Sequence, residues 1–205
     1  MVIVLYKTES QELCDNTNLF NHKYVSFMKN FIYDAAMELG QVTNHGEASV
    51  LIANDVCSCV KNHALIAVGA AWIPLPGADV ALMAGNTWAM YLRINNRFHI
   101  SFSDNVLKSI GSAILGNLTS NIIALSLGSF VKFIPGASLI SGAFLSALVY
   151  ATTLTAAWVY LRALARFYAQ GDGSEACLRA CVDDILSDRE SVKNIFNDAK
   201  SSYRK

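Results

Sequence analysis

The fold is decided by two stretches without a charged residue: residues 133–161, FIPGASLISGAFLSALVYATTLTAAWVYL, and residues 109–131, SIGSAILGNLTSNIIALSLGSFV. Each is longer than the roughly 20 apolar residues that a helix needs to cross a bilayer. Only Lys132 separates them, and Pro135 and Gly136 complete a short turn. The two stretches therefore predict a long antiparallel helical hairpin.

Small residues recur at every fourth position in both stretches. They are Ser112, Gly116, Ser120, Ala124 and Gly128 in residues 109–131, and Ser138, Gly142 and Ser146 in residues 133–161, with Ala143, Ala147, Ala151 and Thr155 beside them. Small residues at this spacing let two helix backbones approach closely. We expect Gly116, Gly128 and Gly142 to lie where the two helices pack, so that a large side chain at Gly116 would force the hairpin apart.

Helical spacing is also present on the N-terminal side of the hairpin. Apolar residues recur every three or four positions in residues 23–39, and Gly40 is well placed to end this helix. A second helix is expected over about residues 47–60, with a continuation toward Trp72 as the longer alternative.

A pair of prolines ends the second helix. Pro74 and Pro76 cannot supply the backbone amide that a helix interior needs. Asp79 follows, and its carboxylate can accept hydrogen bonds from the first amides of the next helix. It is the only formally charged residue between Lys61 and Arg93, so a polar contact with a partner or a pore is the alternative to capping.

These patterns predict an all-α protein, a bundle of about six or seven helices centred on the Gly/Ala/Ser-rich hairpin. With 205 residues the chain is long enough to bury a continuous core. We expect three parts: an N-terminal helical segment in residues 1–60, an apolar helical domain in residues 61–170, and a polar C-terminal helical tail in residues 171–205.

The composition indicates either deep burial or contact with a membrane. Hydrophobic residues make up 53% of the chain and charged residues 16%, against roughly 25% charged residues in a typical soluble domain. Sixteen basic and sixteen acidic residues give a formal net charge of zero, so no overall field attracts a polyanion. Nucleic acid is therefore not an expected partner.

The residues leave open whether the hairpin lies in lipid or in protein. Five basic residues lie on the side of the hairpin away from its turn: Arg93, Arg97, Lys108, Arg162 and Arg166. If the hairpin inserts, they would keep both termini on the cytoplasmic side of an inner membrane. Against insertion, Asn117 and Asn121 lie in the middle of a segment, where an amide is costly in lipid. The alternative is a cytoplasmic protein whose hairpin is buried in the fold or completed by self-association as a homo-oligomer.

The sequence lacks the common catalytic motifs. The patterns G-x-x-x-x-G-K-[ST], G-x-S-x-G and H-E-x-x-H are all absent. Five cysteines, an odd number, suit reduced thiols. Cys57 with Cys59 and Cys177 with Cys181 could supply four thiolates to zinc, but neither pair has the C-x2-C spacing of common zinc modules. We therefore expect a non-enzymatic protein without a metal or cofactor.

Two short runs resemble a known family. The run AAWIPLPGAD in residues 70–79 and the run FIPG in residues 133–136 are similar to motifs of the bacterial domain-of-unknown-function 697 family. The resemblance covers roughly residues 61–170. Asn86 is a departure, because it stands about where the family tends to carry a Gln.

The resemblance implies a helical domain that is often fused to, or encoded beside, GTPases of the Era and dynamin-like type, and that in some members is an inner-membrane protein. On this basis we expect a non-enzymatic helical adaptor or accessory protein, membrane-associated, that acts with a GTPase-like partner in trans. Two alternatives are a membrane-perturbing or pore-forming protein and a soluble helical interaction protein with a buried apolar hairpin. An enzyme or ligand carrier would need convergent polar groups that the sequence does not supply.

Overall fold

The computed structural model describes residues 31–70, 78–125 and 138–203. These residues form seven helices: α1 in residues 31–42, α2 in Ala48–Ala70, α3 in Ala78–Arg97, α4 in Asp104–Leu125, α5 in Ser138–Gln170, α6 in Glu175–Ser187 and α7 in Arg189–Tyr203. No strand occurs in the described ranges. The prediction of an all-α bundle of six or seven helices is therefore confirmed.

The 33-residue helix α5 is the centre of the bundle. It packs against α2, α3, α4, α6 and α7, and its Arg162 forms an ion pair with Glu38 of α1. Every residue from Ala151 to Ala157 is buried. A helix that is apolar all round is stable only when it is covered on all sides, and the other helices provide this cover.

The described small residues of α5 lie inside the bundle. Ser146, Ala147, Ala151 and Thr155 are all buried. Thr155 donates its hydroxyl to the carbonyl of Ala151 over 2.8 Å, so this buried polar group is satisfied within the helix. Small side chains on several faces of α5 let several neighbouring helices approach it.

The first helix of the hairpin, α4, begins beside the end of α5. The rings of Phe102, just before α4, and Phe167 of α5 lie 5.8 Å apart. From there α4 runs back along the bundle and contacts α3, α5 and α6. It buries a face of large apolar residues: Leu107, Ile110, Ile114 and Leu118.

The described part of the small-residue stripe of α4, Ser112, Gly116 and Ser120, does not pack against α5. Ser112, Gly116 and Ser120 are exposed, and a Cβ added to Gly116 would find no other atom within 4 Å. The prediction that Gly116 lies in the hairpin contact is therefore wrong. The physical reason is that burying leucine and isoleucine side chains stabilises the fold far more than burying glycine and serine, so α4 turns its larger residues inward.

Gly40 does not end α1, which continues for two further residues. A Cβ at Gly40 would lie 2.7 Å from Oγ of Ser49 in α2, so this glycine is required by a close approach of two helices. The helix ends at residue 42. Just beyond it, Asn44 has a φ of +59° and Gly46 a φ of +53°. Both residue types tolerate the left-handed conformation that terminates helices.

The second helix takes the longer of its two predicted forms. It continues without a break from Ala48 to Ala70, across the predicted boundary at residue 60.

Downstream of α5, Ser174 caps α6 by accepting a hydrogen bond from the amide of Cys177 over 3.1 Å. Helices α6 and α7, which lie in the predicted polar C-terminal helical tail, both pack along α5.

Two stacked tyrosines join α3 to α5 in the core. The rings of Tyr91 and Tyr160 lie 4.0 Å apart at an angle of 17°. The hydroxyl of Tyr91 donates to the carbonyl of Ala156 over 3.2 Å, and that of Tyr160 donates to Oδ1 of Asn95 over 2.8 Å. Burial raises the pKa of both tyrosines, so both remain neutral donors. Because the paired positions increase together in both helices, α3 and α5 are parallel.

Candidate interaction surface

Three polar residues, which we call the polar seam, join α2 to α3. Nδ2 of Asn86 donates to the backbone carbonyl of His63 over 2.9 Å, and Nδ1 of His63 lies 2.8 Å from Oδ1 of Asn86. Nη1 of Arg93 lies 2.8 Å from Nε2 of His63. Asn86 and Arg93 are two helical turns apart and so share one face of α3.

The partners of His63 determine its charge. A guanidinium can only donate, so Nε2 of His63 must accept from Arg93 and Nδ1 must carry the proton that is donated to Asn86. Burial lowers the pKa of His63, and the charge of Arg93 lowers it further, although the hydrogen bond to Asn86 acts in the opposite direction. The seam therefore requires a neutral imidazole.

An exposed ion pair fixes the register of the same two helices. Nη1 of Arg97 lies 3.3 Å from Oδ2 of Asp55. Together with the contact between His63 and Asn86, this pair shows that α2 and α3 are antiparallel. Both charged side chains are more than half exposed, so the pair contributes little to stability.

The end of α2 and the start of α3 expose large apolar side chains. Leu65 and Ile66 on α2 are 48% and 53% exposed, and Leu82 on α3 is 42% exposed. One helical turn beyond the pair His63 and Asn86, the antiparallel register brings Ile66 and Leu82 to about the same level. We call Leu65, Ile66 and Leu82 the apolar end.

Charge is absent from the described part of this surface. No formally charged residue occurs in residues 62–70 or 82–92. Leu51, at the opposite end of α2, is even more exposed at 72%, and Val50 beside it is 44% exposed. Asp55 follows Leu51 by one helical turn, just as Asp79 precedes Leu82 by one turn. The apolar end differs from the exposed pair Val50 and Leu51 in combining apolar side chains from two helices.

Both segments of the hairpin meet this end of the molecule. Since α5 runs parallel to α3, it begins at the end where α3 begins, and α4 ends there. The C-terminal ends of α2 and α4 and the N-terminal ends of α3 and α5 therefore lie at the apolar end.

A cleft of about 250 Å³ lies between α3 and α4. Its wall includes Trp88, Gly85, Lys108 and Ser112, and Nζ of Lys108 lies 5.2 Å from the centre of the Trp88 ring. Nε1 of Trp88 is buried and has no hydrogen-bond partner. No acidic residue, histidine or cysteine lines this cleft, and Lys108 and Ser112 are its charged and hydroxyl side chains.

Helix α5 is long and apolar enough to span a membrane over Phe144–Gln170, and no other helix in the described ranges is. Of its most apolar stretch, 78% is buried inside the protein. A core helix of a soluble protein has these same properties, so its hydropathy alone does not assign it to lipid.

The structure describes two of the residues predicted from the sequence to be structural or interaction candidates. Asn86 lies in the polar seam, and Gly116 lies on the exposed face of α4. Asp79 and Gly142 lie near the starts of α3 and α5, but their surroundings fall outside the described residues. The following predicted residues also lie outside them: Pro74, Pro76, Gly128, Pro135 and Gly136.

The cysteines do not form a four-thiolate site in the described part of the chain. Cys57 and Cys59 belong to α2 and Cys177 and Cys181 to α6, and these two helices do not pack against each other. Within the described ranges, no group of three or more His, Cys, Asp and Glu residues is arranged to hold a metal ion.

Sequence reasoning missed His63 and Arg93 as parts of one site. The interval of seven residues between Asn86 and Arg93 was a usable signal, because it places both on one face of a helix. Nothing in the sequence indicated that His63, 23 residues before Asn86, would face them.

The comparisons with known proteins identify no relative. No family model matches the chain, and no curated protein or solved structure matches it. The resemblance to the domain-of-unknown-function 697 family therefore stays a prediction.

Proposed function

We propose that this protein is a non-enzymatic helical adaptor that attaches to a membrane surface through the apolar end and acts there with a GTPase-like partner in trans. The observation that carries the membrane part is the exposure of Leu65, Ile66 and Leu82 on two adjacent helices. The GTPase-like partner rests on the sequence resemblance alone.

The burial of α5 supports attachment to the surface rather than insertion of the hairpin. Its residues from Ala151 to Ala157 are covered by other helices, so they have no face to offer to lipid. Insertion would first have to separate α5 from the tyrosine stack and from α6 and α7. Attachment by the apolar end leaves the core intact.

The sequences that follow α2 and α4 contain residues that suit an interface between water and lipid. Residues 71–77 include Trp72, and residues 126–137 include Phe130, Lys132 and Phe133. Aromatic side chains and cations are the groups that favour the level of the lipid headgroups. We therefore expect the surface to prefer anionic lipid.

The test is sedimentation of the purified chain with vesicles that contain phosphatidylglycerol. The double variant Leu65→Glu, Ile66→Glu should bind at least tenfold more weakly, since it removes apolar contact and adds negative charge. The double variant Val50→Glu, Leu51→Glu is the matched control, because it adds the same charge at two adjacent exposed apolar residues at the other end of the same helix. Equal weakening by both variants, or no sedimentation of the unaltered chain, would contradict membrane attachment at the apolar end.

The partner requires a separate test. The tagged chain should retain a protein with a P-loop when it is purified from its native cells with GTP present, and should release it with GDP. If the chain binds vesicles but retains no P-loop protein, membrane attachment is supported and the GTPase-like partner is contradicted.

The alternative is a membrane-perturbing protein, and the observation that favours it is the length and hydropathy of α5. In that case α6 and α7 would dissociate from α5 when the protein reaches the membrane, and α5 would then insert into the bilayer. Dye release from the same vesicles separates the two functions: an adaptor binds without release, whereas a membrane-perturbing protein releases the dye.

A further inference from the structure

Two cysteine thiols converge on one oxygen at the joint between α5 and α6. Sγ of Cys177 lies 3.0 Å from Oε1 of Gln170, and Sγ of Cys181 lies 3.6 Å from the same atom. Gln170 is the last residue of α5, and Cys177 lies in the first turn of α6. Cys177 is partly exposed, whereas Cys181 is buried behind it. The two sulfurs thus share one small space that opens to solvent through Cys177.

The helix sets the spacing of the two thiols. Residues four apart on a helix have Cβ atoms about 5–6 Å apart, whereas a disulfide needs about 3.5–4.5 Å. A disulfide would therefore require the first turn of α6 to open and would break the cap that Ser174 makes to the amide of Cys177. A metal ion with bonds to sulfur of about 2.3 Å can join sulfurs up to about 4.6 Å apart, which an intact helix allows.

We propose that Cys177 and Cys181 form a two-thiolate site for copper(I). The number of donors selects the ion, because zinc takes four ligands in structural sites and hard cations take oxygen. Thiolates favour soft ions such as copper(I), and copper(I) is stable with two of them. The site is separate from the apolar end and does not depend on the proposed membrane attachment.

The binding step balances with the residues present. Each thiol gives up its proton, so one copper(I) ion and two thiols yield a complex with one net negative charge and two released protons. Burial and the neighbouring Cys177 raise the pKa of Cys181, so copper(I) has to displace its proton. The charge of Arg166, which also pairs with Asp184, acts in the opposite direction. Once deprotonated, neither sulfur can donate to Gln170, so occupation of the site would release this side chain from the joint.

The test is titration of the reduced full-length chain with copper(I) supplied as its bicinchoninate complex, with oxygen excluded. The unaltered chain should remove one equivalent of copper(I) per chain from bicinchoninate. Cys177→Ser and Cys181→Ser should each lose this equivalent, since two-coordinate binding needs both sulfurs. The double variant Cys57→Ser, Cys59→Ser is the matched control and should keep it.

Two further measurements make the outcome decisive. X-ray absorption at the copper edge should show two sulfur neighbours, and circular dichroism should show that the serine variants remain folded. Retention of the tight equivalent by Cys177→Ser or Cys181→Ser would overturn the proposal. Loss of the copper(I) equivalent in the double variant Cys57→Ser, Cys59→Ser would also overturn it. Equally tight binding of zinc at Cys177 and Cys181 would do the same.

Discussion

Arg93 donates a hydrogen bond to Nε2 of His63 over 2.8 Å, and it can do so only while the imidazole is neutral. Since the folded protein lowers the pKa of His63 below its ordinary value of 6.5, the unfolded chain takes up the proton first as the pH falls. The stability from neutral His63 is fully present above 6.5 and is lost as the pH falls through 6.5 toward the lowered pKa. Urea unfolding at several pH values should show this loss.

The variant His63→Gln provides the comparison. It should be less stable than the unaltered chain near neutral pH by about 1–3 kcal/mol, because the seam loses part of its hydrogen bonding. Its stability should nevertheless fall less steeply on acidification. His45→Gln, in the turn between α1 and α2, controls for the removal of a histidine elsewhere. The same pH slope in all three proteins would contradict the role assigned to His63.

Two glycines within helices should respond in opposite ways to alanine. Gly40→Ala should lower the free energy of unfolding by about 1–2 kcal/mol, because its Cβ would lie 2.7 Å from Oγ of Ser49 and overpacking outweighs the gain in helix propensity. Gly116→Ala should raise it by up to about 1 kcal/mol, because that Cβ meets open space. Thermal unfolding of both variants measures the difference. Destabilisation by Gly116→Ala would instead support the predicted close packing of the hairpin at Gly116.

Removal of the two core hydroxyls should have unequal effects. Tyr160→Phe would leave Oδ1 of Asn95 without a donor in a residue that is only 2% exposed, at a cost of about 1–3 kcal/mol. Tyr91→Phe should cost less, about 0.5–1 kcal/mol, because the carbonyl of Ala156 lies inside a helix. Urea unfolding of each variant checks the order, and equal costs would show that Asn95 finds another donor.

The protein expressed in cells should leave membranes under an alkaline carbonate wash. Attachment through Leu65, Ile66 and Leu82 is peripheral, whereas an inserted hairpin would resist the wash. The measurement is the share of tagged protein in the pellet before and after treatment. Retention in the washed pellet would show that α5 leaves the core, and would favour the membrane-perturbing alternative.

Much of the fold follows from local rules that the sequence displays. The absence of charge predicts long helices in the hairpin, and helical spacing predicts α1 and α2. These signals depend on neighbours along the chain, so one sequence suffices to read them.

The orientation of α4 was not readable in the same way. Either face of α4 could be buried: the small-residue stripe or the row of leucines and isoleucines. Which face is buried depends on the side chains of α3, α5 and α6 that pack against it. The role of Gly40 likewise depends on Ser49 in another helix. The polar seam needs the register of α2 against α3, which no local pattern contains.

The enclosure of α5 has a consequence for how this protein can change over generations. An ordinary surface helix such as α7 repeats its constrained positions every three or four residues, as at Val192, Phe196 and Ala199. Between Ser146 and Leu161 only Leu148 and Trp158 are even partly exposed. Almost every substitution in this stretch would therefore alter core packing and lower stability. We expect the exposed positions of the outer helices to vary in evolution while this segment stays nearly unchanged.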